Sequence, residues 1–335
     1  MTVLHPGGAA LTLRRDATHP LLTREQIPDV PPWLVDATSV FNPGACSLED
    51  GRPLLLLRVQ SRGRRTFLMR AFGCGRRGHA CEVEPRLVEI TGLEKVGGEV
   101  FHVYDPRITR CDGRWFVLCA LDLDRGCRVG IFTTTDFARL DLLAVTGDRD
   151  ARNGVLFPEK IGGRFVLLER PNTVAPEGGA ATGDVIELRT SEDLLHWTTV
   201  GPVLRGRPHF WDELIGAGPP PLKTEHGWLL IYHGVATHLG GGIYQAGAAL
   251  LDLDDPTRVL GRTRDNILEP RLAWEQTGQV PNVVFPTGTI QEPPREDGTC
   301  SPDCHVCVIY GAADTCVGVA STTIAELVAA CRDRE

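Results

Sequence analysis

The chain has 335 residues, 42% of them hydrophobic, with 37 glycines, 24 prolines and a formal net charge of −8. That much apolar content can bury a sizeable core and excludes a disordered chain, while the acidic balance argues against a nucleic-acid backbone as the main partner. Neither an 18-residue apolar run nor a charged-then-apolar N-terminal pattern occurs, so we expect no membrane span, no secretion signal and a cytoplasmic location.

Residues 1–30, with Pro6, Pro20 and Pro28, read as an extended lead-in. From there one grammar recurs: a Gly-containing turn, an apolar strand, a polar gap and a second strand. Asp50-Gly51-Arg52 precedes 53–59 and 66–72, and Asp112-Gly113-Arg114 precedes 115–121 and 128–134. Gly162-Gly163-Arg164 precedes 165–169 and 184–190, and His226-Gly227 precedes 228–233 and 244–251. A fifth pair covers 303–310 and 315–321. Spacings of roughly 50 to 75 residues are too wide for a sandwich, whose turn signals come every 8–12 residues or so, and fit radial repetition. The expected fold is therefore all-β, a five-bladed β-propeller over 31–320 whose blades draw their inner strands from these hairpins. A C-terminal helix closes the chain within 321–335. Ser321-Thr322-Thr323 supplies N-caps, and Ile324, Leu327, Val328 and Cys331 fall at helical spacing.

The 11 cysteines are scattered, and Cys119, Cys307 and Cys316 sit inside apolar runs, which favours reduced thiols acting as small hydrophobes. Cys300, Cys304, His305 and Cys307 lack a second paired half at a zinc-like distance, so no metal is expected. Arginines cluster at Arg62, Arg64 and Arg65 and again at Arg76 and Arg77; a solvated loop is the plainer reading, a rim that greets an anionic ligand the sharper one.

A propeller's channel is lined by strand ends, and polar residues stand at those points in every repeat. Asn42 and Arg58 come from the first, Asp105 and Arg107 from the second, and Arg152, Asn153 and Arg170 from the third. His233 follows from the fourth and Asp314 from the fifth. Each alone reads as turn punctuation or a satisfied core group, whereas nine converging on one axis need a common reason. The stretch Phe210-Trp211-Asp212-Glu213 adds an aromatic face and two carboxylates just before the Gly/Pro loop 216–221.

Several of these residues lie in motifs that resemble glycoside hydrolase family 130. They are Asn42-Pro43-Gly44-Ala45, Tyr104-Asp105-Pro106-Arg107, Arg152-Asn153-Gly154-Val155-Leu156-Phe157-Pro158-Glu159-Lys160 and Glu169-Arg170-Pro171. Gly216-Ala217-Gly218-Pro219-Pro220-Pro221, Tyr232-His233-Gly234-Val235, Pro281-Asn282-Val283-Val284-Phe285-Pro286 and Gly311-Ala312-Ala313-Asp314 complete the set, in order from about residue 40 to 320. The resemblance implies a five-bladed propeller and an inverting enzyme acting on β-linked mannosides, with a mannose-containing oligosaccharide as partner and no cofactor. It implies that Asp105 is the general acid, passing its proton through a mannose hydroxyl, and that Tyr104 lies beside it.

The family divides between phosphorylases, with inorganic phosphate as co-substrate, and hydrolases, in which a carboxylate activates water. Arg152, Asn153, Arg170 and His233 match positions that help bind phosphate. Leu214 stands where phosphorylases usually carry a cation, preceded by Asp212 and Glu213. An inverting hydrolase needs its carboxyl groups roughly 6.5–9.5 Å apart. On that basis the sequence favours a β-mannosidase, plausibly acting on β-1,2-manno-oligosaccharides from the non-reducing end, with Glu213 as base, Asp212 as rival and Trp211 as sugar platform. Pairing of both carboxylates with nearby arginines is the bland reading. The alternatives are a phosphorylase releasing mannose 1-phosphate and an inert sugar-binding propeller. Association between copies, through the lead-in or the C-terminal helix, stays open.

Overall fold

The computed structural model describes residues 11–15, 17–74, 81–175, 181–238 and 241–332. Its strands form five sheets set around an axis. Blade I comprises Ser39–Ser47, Pro53–Gln60, Thr66–Phe72 and Glu82–Leu87. Blade II comprises Val100–Cys111, Arg114–Leu123, Gly126–Thr134 and Arg139–Val145, with Glu89–Thr91 added in parallel at its outer edge. Blade III runs through Ala151–Leu156, Phe165–Pro171, Val185–Ser191 and Thr198–Arg205. Blade IV holds Leu214–Ala217, Gly227–His238, Gly241–Leu251 and Val259–Arg262, and blade V holds Val284–Gln291, His305–Ala312 and Cys316–Thr323. The fourth strand of blade V is Arg14–Arg15, which pairs antiparallel with the strand Cys316–Thr323.

Alternation of side chains explains why the strands read as unbroken apolar runs. In Pro53–Gln60, Leu54 and Leu56 pack toward blade II while Leu55 and Leu57 pack toward blade V. Successive residues point to opposite faces, so a blade sandwiched between two neighbours must be apolar on both. The same division produces an apolar cluster between each adjacent pair of blades. Truncating one such side chain, as in Leu55→Ala, opens a void costing about 2–5 kcal/mol.

The hairpins legible in the sequence are the second and third strands of each blade, not the innermost ones. The inner strands are the segments that carry the motifs: Ser39–Ser47, Val100–Cys111, Ala151–Leu156, Leu214–Ala217 and Val284–Gln291.

Segments near both ends of the described chain pack on blade V. Arg15 is bidentate to the buried carboxylate of Glu275 at 2.7 and 2.8 Å, and the Tyr310 hydroxyl donates to the same group at 2.8 Å. The helix Ile324–Arg332 begins with a capping box: Thr323 accepts from the Glu326 N–H, and Glu326 accepts from the Thr323 N–H. Its residues Ile324, Leu327, Val328 and Cys331 face the cluster between blades IV and V.

Cys74 and Cys81 form a disulfide, a correction to the expectation of thiols throughout. Among the described residues no group of three or more His, Cys, Asp or Glu side chains is arranged to hold a metal ion. No described helix is long and apolar enough to cross a membrane. Arg76 and Arg77 lie outside the described residues.

Candidate active site

Three inner strands open with the same irregularity. Pairing with the second strand slips between Phe41 and Gly44, between Tyr104 and Arg107, and between Arg152 and Val155. The residue inside each slip has left-handed backbone: Asn42 at φ 45°, Asp105 at φ 53° and Asn153 at φ 56°. Asn and Asp adopt this region more readily than other non-glycine residues, and a bulge re-aims the side chain. In blades I and II a proline follows, whose missing N–H suits a point where the ladder is broken. Repetition of one device at one radius thus gathers polar groups on the axis.

They line a cavity of about 520 Å³. Its wall contains Asn42, Arg58, Tyr104, Asp105, Arg152, Asn153, Arg170 and Asp314, all expected from the sequence. Asp105 accepts from Arg58 Nη1 at 2.7 Å and from Asn42 Nδ2 at 3.1 Å. The Arg58 guanidinium lies between the rings of Phe41 and Tyr104, 4.3 and 4.5 Å from their centroids. Asp314 is only partly exposed toward the cavity; burial lifts its carboxyl from 3.8 to about 6, Arg58 opposing the rise and Asp105 adding to it.

Two further expected residues sit directly behind the wall. Arg107 is fully buried, donating from Nε to the Gly218 carbonyl at 2.7 Å and from Nη1 to the Asp105 carbonyl at 3.0 Å, so it braces the bulge that aims Asp105. Burial lowers its pKa to about 10, against the pull of Asp105. His233 is fully buried, its ring 4.5 Å from that of Phe285, and burial beside Arg170 and Arg107 holds it neutral, well below the usual histidine range. Gly216 permits this arrangement, because a Cβ there would stand 2.4 Å from the His233 ring and 2.8 Å from Asn153 Oδ1.

The blade IV carboxylates lie elsewhere, which corrects their expected roles. Asp212 is buried but held by Arg207, Arg262 and the Tyr232 hydroxyl, the last at 2.8 Å. Glu213 accepts a hydrogen bond from the Thr237 hydroxyl, which lowers its pKa, and it is not on the cavity wall. Trp211 stacks on Tyr232 with centroids 5.8 Å apart and donates to the Arg264 carbonyl at 2.9 Å, also off the wall. Asp212 and Trp211 therefore anchor the blade, and the bland reading describes Asp212 correctly.

Sequence reasoning missed other wall residues: Gln60, His102, Asp122, Tyr244 and Phe285. His102 and Asp122 are register partners at the mouth of blade II, a pairing that alternation could have revealed had the inner strand been recognised. Arg64 is the member of the first arginine cluster that reaches the cavity, in line with the sharper reading of that cluster as a rim.

One electrostatic feature sets the character of the site. Among the described residues, no carboxylate lies within ion-pair distance of Arg107, Arg152 or Arg170. Burial pushes Arg170 down to about 10. Unpartnered polar atoms collect beside them: Nη2 of Arg107, Nε of Arg170, Oδ1 of Asn153 and both ring nitrogens of His233. The donors among them, Arg107 Nη2, Arg170 Nε and the one N–H of neutral His233, are costly without acceptors, and a compact anion rich in oxygens would satisfy them.

A propeller whose axial cavity joins carboxylates to arginines points to a class: an enzyme acting on glycosides. A family model described as beta-1,4-mannooligosaccharide phosphorylase matches residues 12–333, and the chain belongs to this family, glycoside hydrolase family 130. Among its relatives is a 1,2-beta-oligomannan phosphorylase of Thermoanaerobacter sp. (strain X514), 36% identical over 69% of this chain and 68% of the relative. A beta-1,4-mannooligosaccharide phosphorylase of Ruminococcus albus is 31% identical over 94% of this chain and 89% of the relative. The solved beta-1,2-mannobiose phosphorylase from Listeria innocua, in complex with beta-1,2-mannobiose, superimposes with a TM-score of 0.78 at 25% identity, covering 97% of this chain and all of that one.

Proposed function

We propose that the protein is an inverting β-mannoside phosphorylase that cleaves a manno-oligosaccharide with inorganic phosphate and releases α-mannose 1-phosphate. The observation that carries this reading is the set Arg107, Arg152 and Arg170, the first and last beside His233, with no carboxylate within ion-pair distance among the described residues. A phosphate dianion would supply the missing negative charge, and Arg guanidinium matches its oxygens in geometry as well as charge. The curated relatives support the same choice over hydrolysis.

In this reading Asp105 gives its proton, through a mannose hydroxyl, to the glycosidic oxygen as the bond to the anomeric carbon breaks. A phosphate oxygen held by Arg152, Arg170 and Asn153 forms the new bond from the opposite face, inverting the centre. Arg58 and Asn42 orient Asp105, and Arg107 fixes its backbone. Neutral His233 has one N–H to offer the anion. Asp314 would accept a sugar hydroxyl. We take the β-1,2 linkage as the reading, since the relatives at 36% identity act on β-1,2-mannosides by name.

Hydrolysis, the reading favoured by sequence alone, is second. Leu214, where phosphorylases usually carry a cation, still speaks for it, but its intended base Glu213 is not on the wall. Incubation with β-1,2- and β-1,4-mannobiose, with and without phosphate, separates the two. Mannose 1-phosphate formed only with phosphate is expected; free mannose at equal rates in both would sink the proposal.

A further inference from the structure

Two of the wall arginines are not set in place by the wall itself. Arg152 donates from Nε to the Cys127 sulfur at 3.1 Å, and among the described residues that sulfur is its one hydrogen-bond acceptor. Cys127 is fully buried on the strand Gly126–Thr134. Its sulfur also meets the Tyr104 hydroxyl at 3.3 Å, and its thiol donates to Asp122 Oδ1 at 3.5 Å. The backbone N–H of the same residue donates to Asp150 Oδ1 at 3.0 Å. That oxygen also accepts from Asn172 Nδ2 at 2.6 Å, and Asn172 Oδ1 in turn accepts from Arg170 Nη2 at 2.8 Å. A continuous chain therefore runs Arg152, Cys127, Asp150, Asn172, Arg170.

We infer that Cys127, Asp150 and Asn172 form a bracket that fixes the separation and facing of Arg152 and Arg170, and so sets affinity for the attacking anion. The inference rests on the phosphorylase reading above. None of the three need touch the anion; they are positioning residues, acting through the guanidinium groups. Each arginine has a planar fork whose value depends on its aim. A single hydrogen bond at Nε or Nη2 fixes that aim while leaving the remaining nitrogens for the cavity. Burial raises the Cys127 thiol above its ordinary pKa. It therefore stays neutral, a soft acceptor for Arg152 that does not cancel the positive charge needed in the cavity.

The test measures KM for inorganic phosphate and for mannobiose separately, with Tm, in Cys127→Ala, Cys127→Ser and Asn172→Ala. Losing one hydrogen bond to a charged group should raise the phosphate KM about fivefold in Cys127→Ala and in Asn172→Ala, with mannobiose KM within about twofold. Cys127→Ser, which keeps an acceptor, should recover part of the loss. In an Arg152→Ala background, Cys127→Ala should add nothing, because its effect passes through that arginine. Should Cys127→Ala fold poorly, Asn172→Ala, half-buried and on a loop edge, carries the test. Unchanged phosphate KM in a phosphate-dependent enzyme, or equal weakening toward both substrates, overturns the bracket alone. A wild-type enzyme indifferent to phosphate overturns the phosphorylase reading and this role together.

Discussion

Arg58 holds Asp105 in an ion pair at 2.7 Å, while Asp314, in the same cavity, has a carboxyl lifted to about 6 by burial. The folded protein therefore binds a proton at Asp314 more tightly than the unfolded chain does. The stability that this proton confers is full below the unfolded value near 3.8 and is lost as pH rises through about 6. Asp314→Asn should remove that dependence. Its unfolding free energy relative to wild type, from chemical denaturation, should climb between about pH 4 and pH 7, by at most about 2 kcal/mol after allowance for solvent screening. A difference flat across that range would contradict the assignment. Glu213→Gln should leave phosphorolysis within about twofold of wild type, as substitutions away from the chemistry do. A loss of a hundredfold or more in kcat would restore Glu213 as a base.

Part of the wall was legible at this scale, because Asn42, Asp105, Asn153, Arg170 and Asp314 stand in short motifs whose residue types are distinctive. What misled was the neighbouring pair Asp212-Glu213. Sequence shows that a carboxylate exists near the axis but not whether cations from distant segments, here Arg207 and Arg262, already hold it. Gln60, His102 and Tyr244 were invisible for the complementary reason: each looks like an ordinary polar residue in a strand until blade packing turns it inward.

At the level of elements, the middle strands could be read from their apolar runs, whereas the inner strands could not. Asn42-Pro43-Gly44 and Asp105-Pro106 have the composition of turns, and the structure uses that composition to break the ladder within a strand. The local signal was read correctly as a bend; only tertiary packing shows that strand continues on both sides. The inner strand of blade IV, Leu214–Ala217, is four residues long and depends on Gly216 to admit His233 and Asn153. Gly216→Ala should displace both, raising the phosphate KM by at least about tenfold with little change in mannobiose KM, as a misplacement of about 1 Å can. Steady-state kinetics in both substrates would show it, and an unaltered phosphate KM would mean that His233 and Asn153 do not contact the anion.

For the whole molecule, the ring holds together through apolar packing between neighbours and through polar contacts, among them a clasp at blade V. Blade V is completed by Arg14–Arg15, whose second residue is bidentate to buried Glu275. Removing one partner of a buried pair leaves the other charge uncompensated. Arg15→Ala should therefore cost about 3 kcal/mol in chemical denaturation, with the transition still cooperative. A loss below about 0.5 kcal/mol would show that Glu275 finds other compensation, for instance from Tyr310. The number of repeats was readable from spacing alone. The identity of the closing strand was not, because a two-residue strand leaves no periodic trace.

That closing strand also fixes when the enzyme can first work. Asp105, Arg152 and Arg170 come from blades made early in synthesis, but Asp314 lies in the last blade, and the ring shuts only when Arg14–Arg15 meets Cys316–Thr323. The cavity wall is therefore complete only once segments far apart in the sequence, Arg14–Arg15 and Cys316–Thr323, have met.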